Sequence, residues 1–364
     1  MDLYKELTDE TSHILDSCLA KLKQYQKIVL YGAGMSGSVI SGWLIKHKVM
    51  PEAFIDSNPA KTGTFVNGIK VCSKEVLSKR FADAFIVVSC GDHAMILSEL
   101  AGMGFSEECT MYMDPKWITQ PDGFRGFMMD HMDQLQEAYG LLEDERSKKV
   151  YLNMLKYKLS YHIDYIREIC SEWKQRYFDA ELFQDKIIRD YVDAGGYTGD
   201  TVEAFVNMFG GGYSHIYVFE PNESNMRQLI QNVKTAGYHD VYTYTVGLYD
   251  QESDASFNNY SEIAGRIDKQ GKIKIHCCRM DQILRGKQVD FIKMDVEGAE
   301  LRALEGSKEI IKKYRPDLAV CVYHKPEDYF EIPIWIKQVY PGYKLYFRQY
   351  ELSDTETICY AIGE

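Results

Sequence analysis

Three groups of residues in this chain have the types and spacing to do chemistry. The first is Val192-Asp-Ala-Gly-Gly-Tyr-Thr-Gly-Asp-Thr201, where an apolar run breaks into a bend carrying Gly195, Gly196 and Gly199. Glycine has no Cβ, so backbone there can come close to a ligand. The second is Phe219-Glu-Pro-Asn222, about twenty residues further on, where an acid at a strand end can accept hydrogen bonds from both hydroxyls of a ribose. Bend and acid together describe a nucleoside site, whose expected contacts are Asp193, Ala194, Gly195, Gly196, Tyr197, Gly199, Asp200, Thr201, Glu220, Pro221 and Asn222. Gly247 and Leu248, just past the run Val241-Tyr-Thr-Tyr-Thr-Val246, are expected to border the base. The spacing departs from G-x-G-x-x-G, as suits a ligand with no pyrophosphate to cradle.

The third group is Lys293-Met-Asp-Val-Glu-Gly-Ala-Glu300, joined by His324 at the end of the next apolar run. A carboxylate or imidazole within hydrogen-bond reach can take a proton from a hydroxyl, a contribution on the order of a hundred- to ten-thousand-fold in rate. Asp295, Glu297 and His324 are therefore the candidate catalytic residues. Other roles stay open for each: Asp295 as a cofactor contact or the cap of a helix starting near Ala299, Glu297 as a brace for its loop, His324 as a polar strand end. A metal between these three can be drawn, but their spacing matches no familiar ligand set, so no metal is expected. His276-Cys-Cys278 reads as strand. Arg266, Lys325 and Arg348 suit either an anionic acceptor or, more simply, solvated surface charge.

These residues need strand ends to hold them. Tyr191–Ala194, His215–Phe219, Val241–Val246, Phe291–Met294 and Leu318–Tyr323 are short apolar runs separated by helical patterns, which implies a parallel sheet. Tyr343–Phe347 and Thr357–Ile362 follow with only a short polar loop between them, and only an antiparallel pair closes that quickly. Seven strands ending in such a hairpin is the class I methyltransferase layout.

The motifs Val192–Thr201, Val218-Phe-Glu-Pro-Asn222 and Ile292–Glu300 resemble those of the FkbM-type methyltransferases, over about half the chain. Asp144-Glu-Arg-Ser147, Tyr323-His-Lys-Pro-Glu-Asp328 and Glu331-Ile-Pro333 are similar to a bacterial branch of that family with an N-terminal nucleotide-binding-like domain. The resemblance implies S-adenosyl-L-methionine as cofactor and methylation of a hydroxyl on a sugar, glycan or secondary metabolite.

Upstream, Lys27-Ile-Val-Leu-Tyr31 runs into Gly32-Ala-Gly-Met-Ser-Gly37, with Asp56 closing the strand Ala53–Asp56 and a third run at Ala84–Ser89. This has the form of a dinucleotide or sugar-nucleotide site; a fold kept for packing or dimerisation accounts for it equally. The expected division is a Rossmann-like α/β domain over 1–115, a helical connector over 116–185 that packs on a neighbour, and the methyltransferase domain over 186–364.

A net charge of −12 argues against a nucleic-acid partner. No segment is long and uncharged enough to span a bilayer, and the opening residues carry no signal-peptide core. Nine cysteines without regular spacing, with Cys72, Cys90 and Cys321 in apolar runs, suit a reducing cytoplasm. The expected partner is a small-molecule or glycan acceptor, with a homo-oligomer left open. Two rival readings remain: a non-catalytic protein that holds the cofactor or a nucleotide, and an NAD(P)-dependent oxidoreductase centred on the N-terminal domain.

Overall fold

The computed structural model describes residues 3–10, 12–91, 93–120, 123–183, 186–259, 265–267 and 273–363. It divides into two compact units, one of Glu10–Phe127 with Leu159–His162, the other of Met1–Asp9, Met128–Lys158 and Ile163–Glu364.

In the smaller unit, Ile28–Tyr31, Ala53–Asp56 and Phe85–Val88 are buried at every position, as strands covered on both faces must be. They form the middle of a six-stranded sheet, ordered Phe65–Val66, Ile69–Ser73, Ala53–Asp56, Ile28–Tyr31, Phe85–Val88, Thr110–Tyr112, and parallel except for the Phe65–Val66 hairpin. The glycine turn follows the first strand and leads into the helix Met35–Lys46. A Cβ on Gly37 would stand 2.0 Å from the Gly32 carbonyl oxygen, so that helix starts pressed against the turn. Asp56 closes onto the same turn: its Oδ2 accepts from Ala33 N at 2.9 Å and from Lys61 Nζ at 2.8 Å, its Oδ1 from Asn58 N. Cys72 and Cys90 are only partly buried, unlike Cys321.

The larger unit holds a seven-stranded sheet: β1 (Asp190–Ala194), β2 (His215–Phe219), β3 (Val241–Tyr244), β4 (Phe291–Met294), β5 (Asp317–Cys321), β6 (Lys344–Gln349) and β7 (Thr357–Ile362). Their order is β6-β7-β5-β4-β1-β2-β3, parallel but for β7, which is antiparallel to both neighbours. Register sets Ala194 beside Met294 and Phe219, and Met294 beside Val320. The carboxyl ends therefore finish level, and the loops after them share one edge. Beneath them Tyr191 stacks on Phe205 with centroids 4.3 Å apart and on Phe291 at 5.7 Å. The helix α1 (Asp200–Phe209) buries Val202 and Phe205 against that cluster, a spacing of three that one helix face provides. In α2 (Glu223–Ala236), Asn222 accepts hydrogen bonds from Ser224 N and Asn225 N, and Gly237 at φ +72° ends the helix.

Between β3 and β4 lies a second sheet that the sequence reading did not foresee. It runs Gly247–Leu248, Ile273–Cys278, Ser253–Asn259, Gly265–Ile267. His276 is exposed there and Cys277 buried, as alternation along a strand requires. The side chain of Arg266 lies outside the described residues.

The outer edge of β6 is covered by chain from before residue 186. Glu143 N donates to Leu345 O at 2.9 Å and Ser171 N to Gln349 O at 2.8 Å, and Leu142 and Cys170 bridge the same strand in parallel. Arg348 locks this arrangement. It is fully buried, not the solvated charge expected, and its guanidinium pairs with Asp144 at 2.9 Å, Asp179 at 3.7 Å and Glu181 at 3.4 Å while donating to Ser147 Oγ. Residues 128–158 accordingly fall within the larger unit. Among the described residues no helix is long and apolar enough to cross a membrane.

Candidate active site

A cavity of about 690 Å³ opens at the carboxyl ends of β1, β2 and β4, within the size range of small-molecule sites. Its floor is the glycine bend. Gly195 has φ +86°, and a Cβ there would lie 1.8 Å from the Asp295 carbonyl oxygen, so only glycine lets the β1 and β4 loops meet. Tyr197 follows at φ +43° and turns its amide toward β2.

Glu220 receives that amide. Its Oε2 accepts from Tyr197 N at 3.0 Å and its Oε1 from Asn222 N at 2.8 Å, with Asn225 Nδ2 at 3.4 Å. Burial pushes the carboxyl above its ordinary range, and the backbone donors offset only part of that. Val246, Gly247 and Leu248 form the wall beyond it.

Below the floor, Lys293 and Asp193 make an ion pair at 3.1 Å, with side chains 2% and 0% exposed. Thr201 Oγ1 donates to Asp193, and Lys293 Nζ donates to Gly195 O at 2.6 Å. Burial would pull the Lys293 ammonium down, but Asp193 and Asp295 hold it well above its usual value. The sequence reading missed this pair, for which a charge inside an otherwise apolar strand is the available signal.

Asp295, Glu297 and His324 come together on the opposite wall. His324 Nε2 lies 3.5 Å from Asp295 Oδ1 and 3.4 Å from Glu297 Oε2, and its Nδ1 is 3.0 Å from Glu300 Oε1. Burial alone would lower the imidazole pKa; Glu300, Glu297 and Asp295 instead raise it to about 11. Asp295 is held below the usual carboxylate range by Lys293 and His324, against the effect of burial, and Tyr177 OH donates to its Oδ2 at 2.8 Å. It does not cap the following helix. Glu300 secures that loop instead, its Oε1 accepting from Val296 N and Gly298 N. Lys325 Nζ donates to Gly298 O.

Of the expected contacts, Gly195, Tyr197, Asp200, Thr201, Glu220, Pro221, Asn222, Gly247, Leu248 and Asp295 line the cavity, as do Glu297 and His324. Asp193, Ala194, Gly196 and Gly199 are buried beneath the wall, because Asp193 is taken up by Lys293 and Gly196 packs on Val218 and Leu229. Trp173, Arg176 and Tyr177 also line it, as do Glu351, Thr355 and Glu356 from the β6–β7 loop. Arg176 stacks on Trp173 at 4.0 Å and pairs with Glu356 at 2.9 Å and Asp200 at 3.6 Å. Nothing in their local sequence separates these from ordinary surface residues.

The anchored acid after β2 and the acidic loop after β4 both fall inside a stretch, residues 193–344, that matches the family described as Methyltransferase FkbM domain. Residues 193–344 are thus similar to an FkbM methyltransferase domain. The chain is similar to methyltransferase FkbM from Methylobacillus flagellatus KT, at 18% identity over 95% of this chain and 93% of that one with a TM-score of 0.69, which shows a shared fold. Slighter likenesses extend to a putative caffeoyl-CoA O-methyltransferase from Staphylococcus aureus, at 14% identity over 59% of this chain and 99% of that one with a TM-score of 0.36. Fibrillarin from Aeropyrum pernix gives 13% identity over 49% and 67% with a TM-score of 0.31. No curated protein matches the sequence. The matched stretch carries the whole of the cavity's β1, β2 and β4 rim, while Trp173, Arg176 and Tyr177 precede it and Glu351, Thr355 and Glu356 follow it.

Proposed function

We propose that the protein transfers a methyl group from S-adenosyl-L-methionine to a hydroxyl of a neutral small molecule, such as a sugar, a glycan or a secondary metabolite. The observation that carries this reading is Glu220. It directly follows β2, borders the cavity and is braced by Tyr197 N and Asn222 N. A carboxylate so fixed has lone pairs left for two ribose hydroxyls, and Val246 to Leu248 offer the adjoining wall to the adenine.

When bound, the cofactor supplies a methyl on a positively charged sulfur. The cavity suits that charge, since Asp200, Glu220, Asp295, Glu297, Glu351 and Glu356 outnumber Arg176, Lys293 and His324 along its wall. The same excess disfavours an anionic acceptor. Asp295 and Glu297 form the acidic wall against which an acceptor hydroxyl would lie, His324 stands beside both, and Trp173, half-exposed, offers an aromatic face to a sugar. Holding acceptor and methyl in line is worth on the order of 7–11 kcal/mol.

Calorimetry with S-adenosylhomocysteine tests this. The full chain should bind it, and Glu220→Ala should weaken binding by about tenfold or more, as loss of a charged hydrogen-bond partner implies. Equal affinity in the variant removes the ribose assignment, and binding of NAD in place of S-adenosylhomocysteine removes the methyl-transfer reading altogether.

A further inference from the structure

The geometry points to a divalent-cation site made by Asp295, Glu297 and His324 on the cavity wall, taking an ion of the Mg²⁺ or Mn²⁺ class. Its role rests on the methyl-transfer reading above; its chemistry rests on the residues alone. One carboxylate oxygen from each acid and a ring nitrogen of His324 all lie within 4.8 Å of one another. The Nε2 separations of 3.5 and 3.4 Å are too long for good hydrogen bonds. They match neighbouring ligands around a shared ion, which stand about 3.0–3.4 Å apart when each bond is about 2.1 Å.

A second observation concerns the atoms themselves. Asp295 Oδ1 and both ring nitrogens of His324 are buried and have no hydrogen-bond partner, a state that costs free energy unless something else meets them. On the far side of each residue, Asp295 Oδ2 takes the Tyr177 hydroxyl, and His324 Nδ1 stands 3.0 Å from Glu300 Oε1, with Glu300 fully buried. Metal-binding histidines and carboxylates are oriented by this kind of outer partner. Glu297 reaches the trio from a backbone at φ +55°, a conformation that persists in a non-glycine residue where surrounding structure enforces it. Two carboxylates with one imidazole suit a hard to borderline dication, and three protein ligands leave positions for water and an acceptor.

In that position the ion binds the acceptor hydroxyl oxygen and lowers its pKa. The proton passes to solvent water, since both carboxylates are engaged. The oxygen lone pair then forms the new bond to the methyl carbon, the carbon–sulfur bond breaks, and its electron pair stays on sulfur as S-adenosylhomocysteine leaves.

The test is titration of the full chain with Mn²⁺, following free Mn²⁺ by electron paramagnetic resonance, with S-adenosylhomocysteine affinity measured in parallel. One ion per chain is expected, with affinity reduced about tenfold or more in Glu297→Gln and in His324→Gln. Glu297 is half-exposed, so its variant should fold and keep its S-adenosylhomocysteine affinity. No Mn²⁺ uptake at millimolar concentration, or equal uptake in both variants, overturns the site. Uptake of S-adenosylhomocysteine without Mn²⁺ sinks the ion site and leaves methyl transfer standing; ion binding without S-adenosylhomocysteine does the reverse.

Discussion

Gly195 is the residue on which the cavity floor turns. Its positive φ and the 1.8 Å approach that a Cβ would make to Asp295 O are separate obstacles to any side chain. Gly195→Ala should lower stability on the order of 1–3 kcal/mol through backbone strain, and should also push the β4 loop out of place. Urea denaturation and S-adenosylhomocysteine calorimetry on the same sample separate the two effects; a variant as stable as the parent would show that the bend has room to relax. Gly195 and Glu220 were legible in the sequence because each does its work where a strand ends, and strand ends can be read from apolar runs. His324 was legible as a position but not in its surroundings. Glu300, Glu297 and Asp295 close round it together, and no spacing along the chain reveals which acids will surround an imidazole.

At the level of elements, two buried charges make opposite predictions. Arg348 ties β6 to Asp144, Asp179 and Glu181 with none of its own surface exposed. Arg348→Met leaves Asp179 buried without its cation and should cost about 3–5 kcal/mol, seen as a lower urea midpoint; a loss under 1 kcal/mol would mean the acids re-solvate. Asp328 opens the helix Asp328–Val339 and accepts from Lys325 N. Burial and Glu300 raise its pKa from 3.8 to about 7. The folded chain therefore keeps a proton that the unfolded chain has released between those values, and stability falls as pH rises through that window. Asp328→Asn should be more stable than the parent by up to a few kcal/mol at pH 8, with the gap closing near pH 4. Equal urea midpoints at pH 8 would contradict the assignment. The elements themselves were readable where burial makes a run apolar, as in Phe291–Met294. The second sheet was not, because the polar run Ser253–Asn259 lacks that contrast. Arg348 misled for a related reason: a basic residue on an outer strand looks solvated until other chain is laid over it.

For the whole molecule, the division that the strand and helix pattern suggests at residue 186 differs from where the larger unit begins. Residues 128–158 and the chain from 163 onward belong to that unit, and Trp173, Arg176 and Tyr177 bring cavity wall with them. A chain beginning at residue 186 should not bind S-adenosylhomocysteine, whereas one beginning at residue 128 retains every wall residue; calorimetry on the two decides it. The shorter chain carries a further liability. Without Glu143 and Ser171, the amides and carbonyls of Lys344–Gln349 would face water as a bare row, and such a row templates the stacking of copies into fibrils. Light scattering on the fragment should grow with time and concentration. The stretch upstream of residue 186 is thus also a guard against self-assembly, supplied by the same chain that needs guarding.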